Sequence, residues 1–396
     1  MKFLGKNRQK NRNKRVFLDY ASITPTDKKV AKKMKEYESI IFANPSALYT
    51  EGLKAKKAIE EAKSNIAKIL GAKKNEIIFT SGGTEGNNLA IFGVFEAVKL
   101  ANNKPHIITT TIEHPSILEV CKEIERRGGE VTYIEVSEDG VINPKDIKES
   151  IKPNTILVSI MYANNEIGTV QEIHEIGRII KEWRHKNNTS LPYFHTDACQ
   201  ATLYEEINVN KLGVDVMTLD GIKMYGPKGI GVLYVRSGVN IKPIYFGGGQ
   251  EKGLRSGTEN LPAIMGLAEA FIIANKMKDK ENKRLIVIRN YAIKKILEKF
   301  NEAKLNGSQK MRLPNNINIC FPNLDAEFAV IFLNILGVSA SYSSSCRNLK
   351  EDSSSYVVEA IGRKNCSTSS LRFTLGRENT KKDIDRLIKA LQKIIK

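Results

Sequence analysis

Short apolar segments alternate with amphipathic helical segments from residue 76 to residue 235. Helical patterns begin at about Thr84, at Pro115, near Asp146 and at Ile173. Because a crossover helix is the usual connection between parallel strands, this order predicts a mostly parallel sheet with helices on both faces, an α/β fold. The predicted strands are 76–80, 106–111, 131–136, 155–161, 191–197, 214–219 and 231–235.

The pattern changes on either side of this region. Helices are predicted from near Asp27 and over 52–70, where Leu53 belongs to the apolar stripe and Gly71 ends the helix. After about residue 266 long helices dominate, followed by a strand at 315–321 and a last helix that begins with a Thr380–Asp383 capping box. We therefore expect three parts: a basic mobile tail, a large domain whose first residues (16–26) pack on the small domain, and a smaller α+β C-terminal domain. Their bounds are 1–15, 16–270 and 271–396.

The composition narrows the class of protein. In 396 residues there is no apolar run of about 18, so no membrane span is expected, and the basic start lacks the apolar stretch of a secretory signal. The five cysteines are odd in number and lack paired CxxC spacing, so neither a disulfide framework nor a metal site is predicted. A reducing, cytoplasmic location follows as the expectation.

The formal charge of +18 favours contact with polyanions. Outside a block at residues 6–15, however, lysines are scattered over helix faces along the whole chain. Direct nucleic-acid binding is therefore not expected.

Several predicted strands end in residues suited to a charged aromatic ligand. Gly83 and Thr84 follow a strand and open a helix, where backbone N–H groups attract phosphate. Asp197 ends another strand and could pair with a protonated ring nitrogen. A lysine in the glycine-rich loop 220–229 could form a Schiff base, and both Lys223 and Lys228 are candidates. Taken singly, the turn, the aspartate and the lysines each fit a purely structural role as well.

Together with longer motifs, these features make the chain similar to the cysteine desulfurases, a branch of the class V aminotransferase-like, fold type I pyridoxal-phosphate enzymes. The motifs cover nearly all of the chain after the tail. They are VFLDYASITP (16–25), NPSALYTEG (44–52), IIFTSGGTEGNNLAI (77–91), IEHPSI (112–117), ILVSIMYANNEIGTVQ (156–171), HTDACQ (195–200), KMYGPKGIGVLYVR (223–236), GGGQEKGLRSGTEN (247–260) and SSLRFTLGR (369–377).

The resemblance implies a seven-stranded sheet and the cofactor pyridoxal 5′-phosphate. It implies that Lys223, rather than Lys228, binds the cofactor covalently, and that a homodimer shares its sites. The implied contacts are His114 on the ring face and in proton transfer, Asp197 on the ring nitrogen, Gln200 on the phenolic oxygen, Gly83, Thr84 and the neighbour's Thr258 on the phosphate, and Asn165 and Arg372 on the substrate carboxylate.

The implied nucleophile is Cys346, in the polar, aperiodic stretch 339–349, which predicts a loop. Neighbouring Arg347 favours its thiolate form. The implied reaction converts L-cysteine to L-alanine and leaves a persulfide on Cys346, for delivery to an acceptor protein in iron–sulfur cluster assembly, tRNA thiolation or both. Cys121 and Cys320 lie in apolar patterns and are predicted to be packing residues. Cys199 could line the cofactor site, and Cys366 is left open.

The sequence departs from the family pattern at several positions. Asp220 and Ile222 replace the usual serine and histidine before the lysine, so that a carboxylate stands where a hydroxyl normally binds phosphate. Tyr49 replaces another histidine, and the loop before Cys346 is about two residues longer.

Two alternatives remain open at this point. A selenocysteine lyase, or another class V lyase or aminotransferase, would share these motifs. A noncatalytic RNA-binding or scaffold protein could retain the fold without the chemistry.

Overall fold

The computed structural model describes residues 15–98, 104–342 and 354–395. Its centre is a seven-stranded sheet in the order β2-β8-β7-β6-β5-β3-β4. The strands of this sheet are β2 (Ile77–Thr80), β3 (His106–Thr110), β4 (Glu130–Ile134), β5 (Thr155–Ser159), β6 (Tyr193–Asp197), β7 (Val216–Asp220) and β8 (Gly231–Val235).

Only β8 runs against its neighbours in this sheet, pairing antiparallel with β2 and β7. The other pairs are parallel. The carboxyl ends of β2, β3, β5, β6 and β7 consequently lie along one edge, where the loops that follow them converge.

Helices cover both faces of the sheet, as the alternation of segments predicts. They are α1 (Lys28–Ser39), α2 (Thr50–Leu70), α3 (Gly83–Val98), α4 (Pro115–Arg126), α5 (Pro144–Ser150), α6 (Ile173–Asn187), α7 (Val209–Leu212), α8 (Leu261–Lys299), α9 (Ala326–Ile335), α10 (Tyr356–Ala360) and α11 (Lys381–Leu391).

Alternate residues of the strands supply two hydrophobic cores. In β2, Ile77 and Phe79 belong to the core that includes α2, α6 and α8, whereas Ile78 belongs to the core built with α3 and α4. Side chains of successive strand residues point to opposite faces, so a short continuous apolar strand serves both cores.

The remaining strands lie near the C-terminus, with one exception. β9 (Lys304–Leu305), β10 (Asn316–Cys320) and β12 (Ser370–Thr374) form an antiparallel sheet. β1 (Val16–Phe17) pairs in parallel with β11 (Val338–Ser339), so the N-terminal segment lies against the C-terminal part of the chain.

The ends of several helices match the sequence signals. Gly71 adopts a left-handed conformation after α2, and Thr380 and Asp383 form the predicted capping box of α11. The helix α8 is 39 residues long and runs through the predicted domain boundary at residue 270. The three-part division of the chain stays a prediction. Residues 1–14 of the predicted basic tail lie outside the described residues.

Two expectations are wrong. Leu53 is 51% exposed, because the buried face of α2 is formed instead by residues such as Ala55, Ile59 and Ile66. The expectation that the cysteines form no disulfide is also wrong, because Cys320 and Cys366, 46 residues apart in sequence, are joined by one. β10 and the turn before β12 bring the two thiols together, a proximity that residue spacing does not reveal.

Within the described ranges, no helix combines the length and apolar character needed to cross a bilayer.

Candidate active site

A cavity of about 220 Å³ opens at the edge of the sheet where the carboxyl ends of the parallel strands meet. Nine of the residues predicted to act in the site line it. They are Gly83, Thr84, His114, Asn165, Asp197, Gln200, Asp220, Lys223 and Arg372.

Lys223 is placed in the cavity by a short 3₁₀ turn, Gly221–Lys223, directly after β7. Its Nζ donates to the backbone oxygens of Ala21 (2.8 Å) and Ser22 (2.7 Å). Gln200 Nε2 donates to the same Ala21 oxygen at 2.9 Å, so these two side chains meet at one acceptor. Lys228 does not line this cavity, and its Nζ donates to Thr24 O at 3.0 Å. The geometry therefore separates two lysines that the loop sequence alone leaves as rivals.

The Asp197 carboxylate is held at the end of β6 by donors on both oxygens. Asn87 Nδ2 donates to Oδ2 at 2.8 Å, and the Cys199 backbone N–H donates to Oδ1 at 2.9 Å. Asn87 also donates to Ser116 Oγ at 2.9 Å. Sequence reasoning missed both Asn87 and Ser116. The available signal is that Asn87 lies one helical turn after Gly83 and so faces the same side of α3.

His114 is the N-cap residue of α4. Its Nδ1 accepts from the Ser116 backbone N–H at 3.2 Å and lies 2.8 Å from Ser116 Oγ. The backbone donor at Nδ1 favours the tautomer that carries its proton on Nε2. Burial lowers the pKa of His114, and the Lys223 ammonium lowers it further against the raising effect of Asp197 and Asp220. The ring is therefore neutral near pH 7.

The glycine turn before α3 is lined by a carboxylate. The Gly83 N–H donates to Asp220 Oδ2 at 2.8 Å, and the Ile222 N–H donates to Oδ1 at 3.0 Å. A Cβ atom at Gly83 would stand 2.8 Å from Cys199 Sγ, so a larger residue there would force Cys199 to shift. Cys199 lines the cavity, as the sequence suggests. Burial raises the pKa of Asp220, although both N–H donors and Lys223 oppose the rise.

Arg372, in β12, reaches the cavity from the C-terminal part of the chain and is 2% exposed. Its Nη2 donates to Asp19 Oδ1 (2.9 Å) and Ser22 Oγ (2.8 Å), and its Nη1 donates to the backbone oxygen of Asn165 (3.0 Å). The Arg372 guanidinium, which belongs to β12, therefore contacts both the N-terminal segment and the loop that follows β5.

Two residues named from the sequence are not brought into this cavity. Thr258 and Tyr49 are exposed and do not line it. Cys346 lies outside the described residues. Among the residues that the structure describes, no group of three or more His, Cys, Asp or Glu side chains could hold a metal ion.

Comparison with known proteins matches residues 16–387 to the family model described as aminotransferase class-V. The chain is 43% identical over 381 residues to the cysteine desulfurase IscS of Dictyoglomus turgidum, covering 96% of this chain and 94% of that protein. It is 42% identical over 384 residues to the cysteine desulfurase IscS of Methanosarcina thermophila, covering 97% and 92%.

Solved structures show the same likeness. A NifS-like protein superposes with a TM-score of 0.89 at 32% identity, covering 96% of this chain and 99% of the other. SspA in complex with cysteine superposes with a TM-score of 0.76 at 35% identity, covering 91% and 98%. The predicted fold is confirmed by these similarities, and the chain belongs to the aminotransferase class-V family.

Proposed function

We propose that this protein is a pyridoxal-phosphate-dependent cysteine desulfurase that converts L-cysteine to L-alanine and retains the sulfur on Cys346. The observation that carries the proposal is the meeting of Lys223, Asp197, His114 and Arg372 in one cavity. The relatives named cysteine desulfurase, and the relative solved with cysteine bound, support the choice of substrate.

The residues present fit pyridoxal phosphate. The cavity offers a lysine amine, a carboxylate fixed on both oxygens, an imidazole and a glycine turn at the positive end of a helix. Asn87 Oδ1 and Arg372 Nε, both on lining residues, are buried and have no hydrogen-bond partner among the described residues. Such polar atoms are normally satisfied, so a polar ligand is expected in contact with this wall.

Each side chain has a role that its contacts suit. Gly83, Thr84 and Asp220 would lie beside the cofactor phosphate, Gln200 would contact its phenolic oxygen, and Asp197 would pair with its ring nitrogen. When bound, pyridoxal phosphate supplies an electron sink for the carbanion that forms at the substrate Cα. Lys223 would hold the cofactor and carry protons, and neutral His114 would lie against the face of its ring.

Arg372 and Asn165 orient the substrate carboxylate. The guanidinium already contacts Asp19 and Asn165 O, so its position is fixed before substrate arrives. A planar guanidinium can bind a carboxylate through two parallel hydrogen bonds. Because Nη2 already donates to Asp19 and Ser22, the substrate carboxylate would displace one of these acceptors.

The sulfur step balances without a further oxidant. The Cys346 thiolate attacks the substrate sulfur, and the Cβ–S bond breaks with its electron pair going to carbon. Carbon then takes a proton, alanine leaves, and Cys346 retains the extra sulfur. Ser341 pairs with Arg372 at the cavity wall. Cys346 follows Tyr342 by four residues, so an extended chain would let residue 346 reach up to about 14 Å from Tyr342.

The proposal is tested by giving the purified protein pyridoxal phosphate and L-cysteine. Alanine release and borohydride-trapped cofactor on residue 223 are expected from the wild type and from Lys228→Ala. Lys223→Ala should show neither. Attachment at Lys228, or alanine release by Lys223→Ala at the wild-type rate, would contradict the assignment. Selenocysteine in place of cysteine measures the preference between the two substrates.

The proposal also includes a homodimer, a sulfur acceptor and a location. By the resemblance, Thr258 would reach the phosphate site of the neighbouring protomer; it is exposed and does not line the cavity of its own chain, which is compatible with that role. The acceptor would serve iron–sulfur cluster assembly, tRNA thiolation or both. The proposed location is the cytoplasm, where a disulfide such as Cys320–Cys366 is usually transient.

A further inference from the structure

A carboxylate lies where the glycine turn offers its backbone donor. Asp220 Oδ2 accepts the Gly83 N–H at 2.8 Å, at the first residue of the 16-residue helix α3. Asp220 Oδ1 accepts the Ile222 N–H at 3.0 Å. A phosphate drawn to the positive end of α3 therefore competes with Asp220 for the same N–H group.

The space around the turn is equally limited. Ideal Cβ atoms built on Gly82 and Gly83 would stand 3.2 Å and 3.3 Å from Asp220 Oδ2. The carboxylate is thus in close contact with the whole glycine turn, and Asp220 is only 9% exposed. A phosphate at this turn would lie against a buried negative charge, which little water can screen.

The charged groups that face Asp220 act in opposite directions, since Lys223 lowers its pKa and Asp197 raises it. Lys223 lies in its own loop, and Asp197, Cys199 and His114 face it from the neighbouring strand end and from α4. The other carboxylate at the turn, Glu85, accepts the Ser81 N–H and pairs with Arg255 at 2.9 Å. Burial shifts the pKa of Asp220 upward. Asp220 therefore takes up a proton more readily than an exposed aspartate does.

Resting on the proposed function, we propose that Asp220 couples binding of the cofactor phosphate to uptake of one proton. In the free protein the Asp220 carboxylate accepts the hydrogen bond of the Gly83 N–H. In the complex Asp220 is protonated, so that it no longer repels the phosphate and can donate a hydrogen bond. Affinity for the phosphorylated cofactor therefore rises as the pH falls, by up to about tenfold per pH unit, the limit for one proton.

The test uses 4′-deoxypyridoxine 5′-phosphate, which has the ring and phosphate of the cofactor but no aldehyde, so its binding is independent of covalent chemistry at Lys223. Calorimetric dissociation constants are measured from pH 6 to pH 8 for the wild type, Asp220→Asn and Asp220→Ser. The asparagine variant removes the negative charge and keeps the shape of the side chain. The serine variant removes the charge and also shortens the side chain at the glycine turn. Glu205→Gln is the matched control, because burial also raises the pKa of Glu205 but its side chain does not line the cavity.

We expect Asp220→Asn and Asp220→Ser to bind about tenfold more tightly than the wild type at pH 8, with the gap closing toward pH 6. Glu205→Gln should follow the wild type. Unphosphorylated 4′-deoxypyridoxine should bind all four proteins with the same pH dependence. Equal affinity and equal pH dependence of the wild type and Asp220→Asn for the phosphorylated ligand would overturn the inference while leaving the proposed function intact. Failure of all four proteins to bind that ligand would overturn both.

Discussion

The Asp197 carboxylate is fixed by side chains and backbone from elements that are distant in sequence. Asn87, which donates to it at 2.8 Å, is 110 residues away and 1% exposed. In its proposed role toward a ring nitrogen, the Asp197 carboxylate needs this support, because rotation about its side chain would misdirect the charge.

Asn87→Ala is therefore expected to lower kcat/KM for cysteine by roughly 10- to 100-fold, the usual effect of losing a hydrogen bond to a charged group. The affinity for pyridoxal phosphate should fall as well. Asn88→Ala is the control, since the neighbouring amide donates only within its own helix, to Thr84 O. Equal losses in the two variants would show that Asn87 acts through the helix and not through Asp197.

A buried histidine makes the stability depend on pH. His195 is fully buried between Ser159 and Thr218, and burial lowers its pKa from 6.5 to about 4. As the pH falls below 6.5, His195 becomes protonated in the unfolded chain but stays neutral in the folded protein. The free energy of unfolding therefore decreases progressively down to about pH 4. Above pH 6.5 this residue contributes no dependence on pH.

The loss approaches roughly 3 kcal/mol at the lower end of that range. Urea unfolding between pH 7 and pH 4 measures it, and His195→Gln should show a shallower slope, whatever its stability at pH 7. An unchanged slope in the variant would mean that His195 is protonated in the folded protein.

The helices and strands follow from local patterns, and the contacts between them do not. Hydrophobic periodicity and caps predict β8 at its observed bounds and the capping box at Thr380. The same patterns cannot predict that Asn87 reaches Asp197, that Asp19 pairs with Arg372, or that Asp220 fills the glycine turn. Those contacts depend on the order of strands in the sheet, which brings distant parts of the chain together.

The disulfide is another contact between elements. It ties β10 to the turn before β12, and both cysteines lie in a small core with α10. Closing a loop of 46 residues restricts the unfolded chain, which in the loop-entropy model stabilises the fold by up to about 4 kcal/mol.

Dithiothreitol should therefore lower the urea midpoint of the wild-type protein but not that of Cys366→Ala. The variant itself should unfold at lower urea than the oxidised wild type. Insensitivity of the wild type to the reductant, together with alkylation of Cys320 after unfolding in urea without reductant, would show that the two thiols are not bonded in solution.

At the scale of the molecule, the site is assembled from both ends of the chain. The segment containing Asp19 and Ala21 is held against β12 and β11, and it supplies acceptors to Arg372 and Lys223. Loss of this segment would remove contacts from the site as well as a strand.

Sharing of sites between protomers predicts complementation. In a dimer of one Lys223→Ala and one Thr258→Ala protomer, one site carries both changes and the other carries neither. Lys223→Ala should be inactive, and Thr258→Ala should be weakened by loss of its phosphate contact. Mixing them under conditions of subunit exchange should add about a quarter of the wild-type activity from the mixed dimers, because half of the dimers are mixed and each has one intact site. No recovery, with mixed dimers verified by mass spectrometry, would contradict a role for Thr258 across the interface.

The most direct test of the proposed desulfurase is mass spectrometry of the cofactor-loaded protein after a single exposure to L-cysteine, with alanine measured in the same sample. The proposal predicts that the peptide containing Cys346 gains the mass of one sulfur atom and that alanine appears in equal amount, with neither change in Cys346→Ser or Lys223→Ala. Alanine at the wild-type rate from Cys346→Ser, or sulfur on another cysteine with Cys346 unmodified, would contradict it.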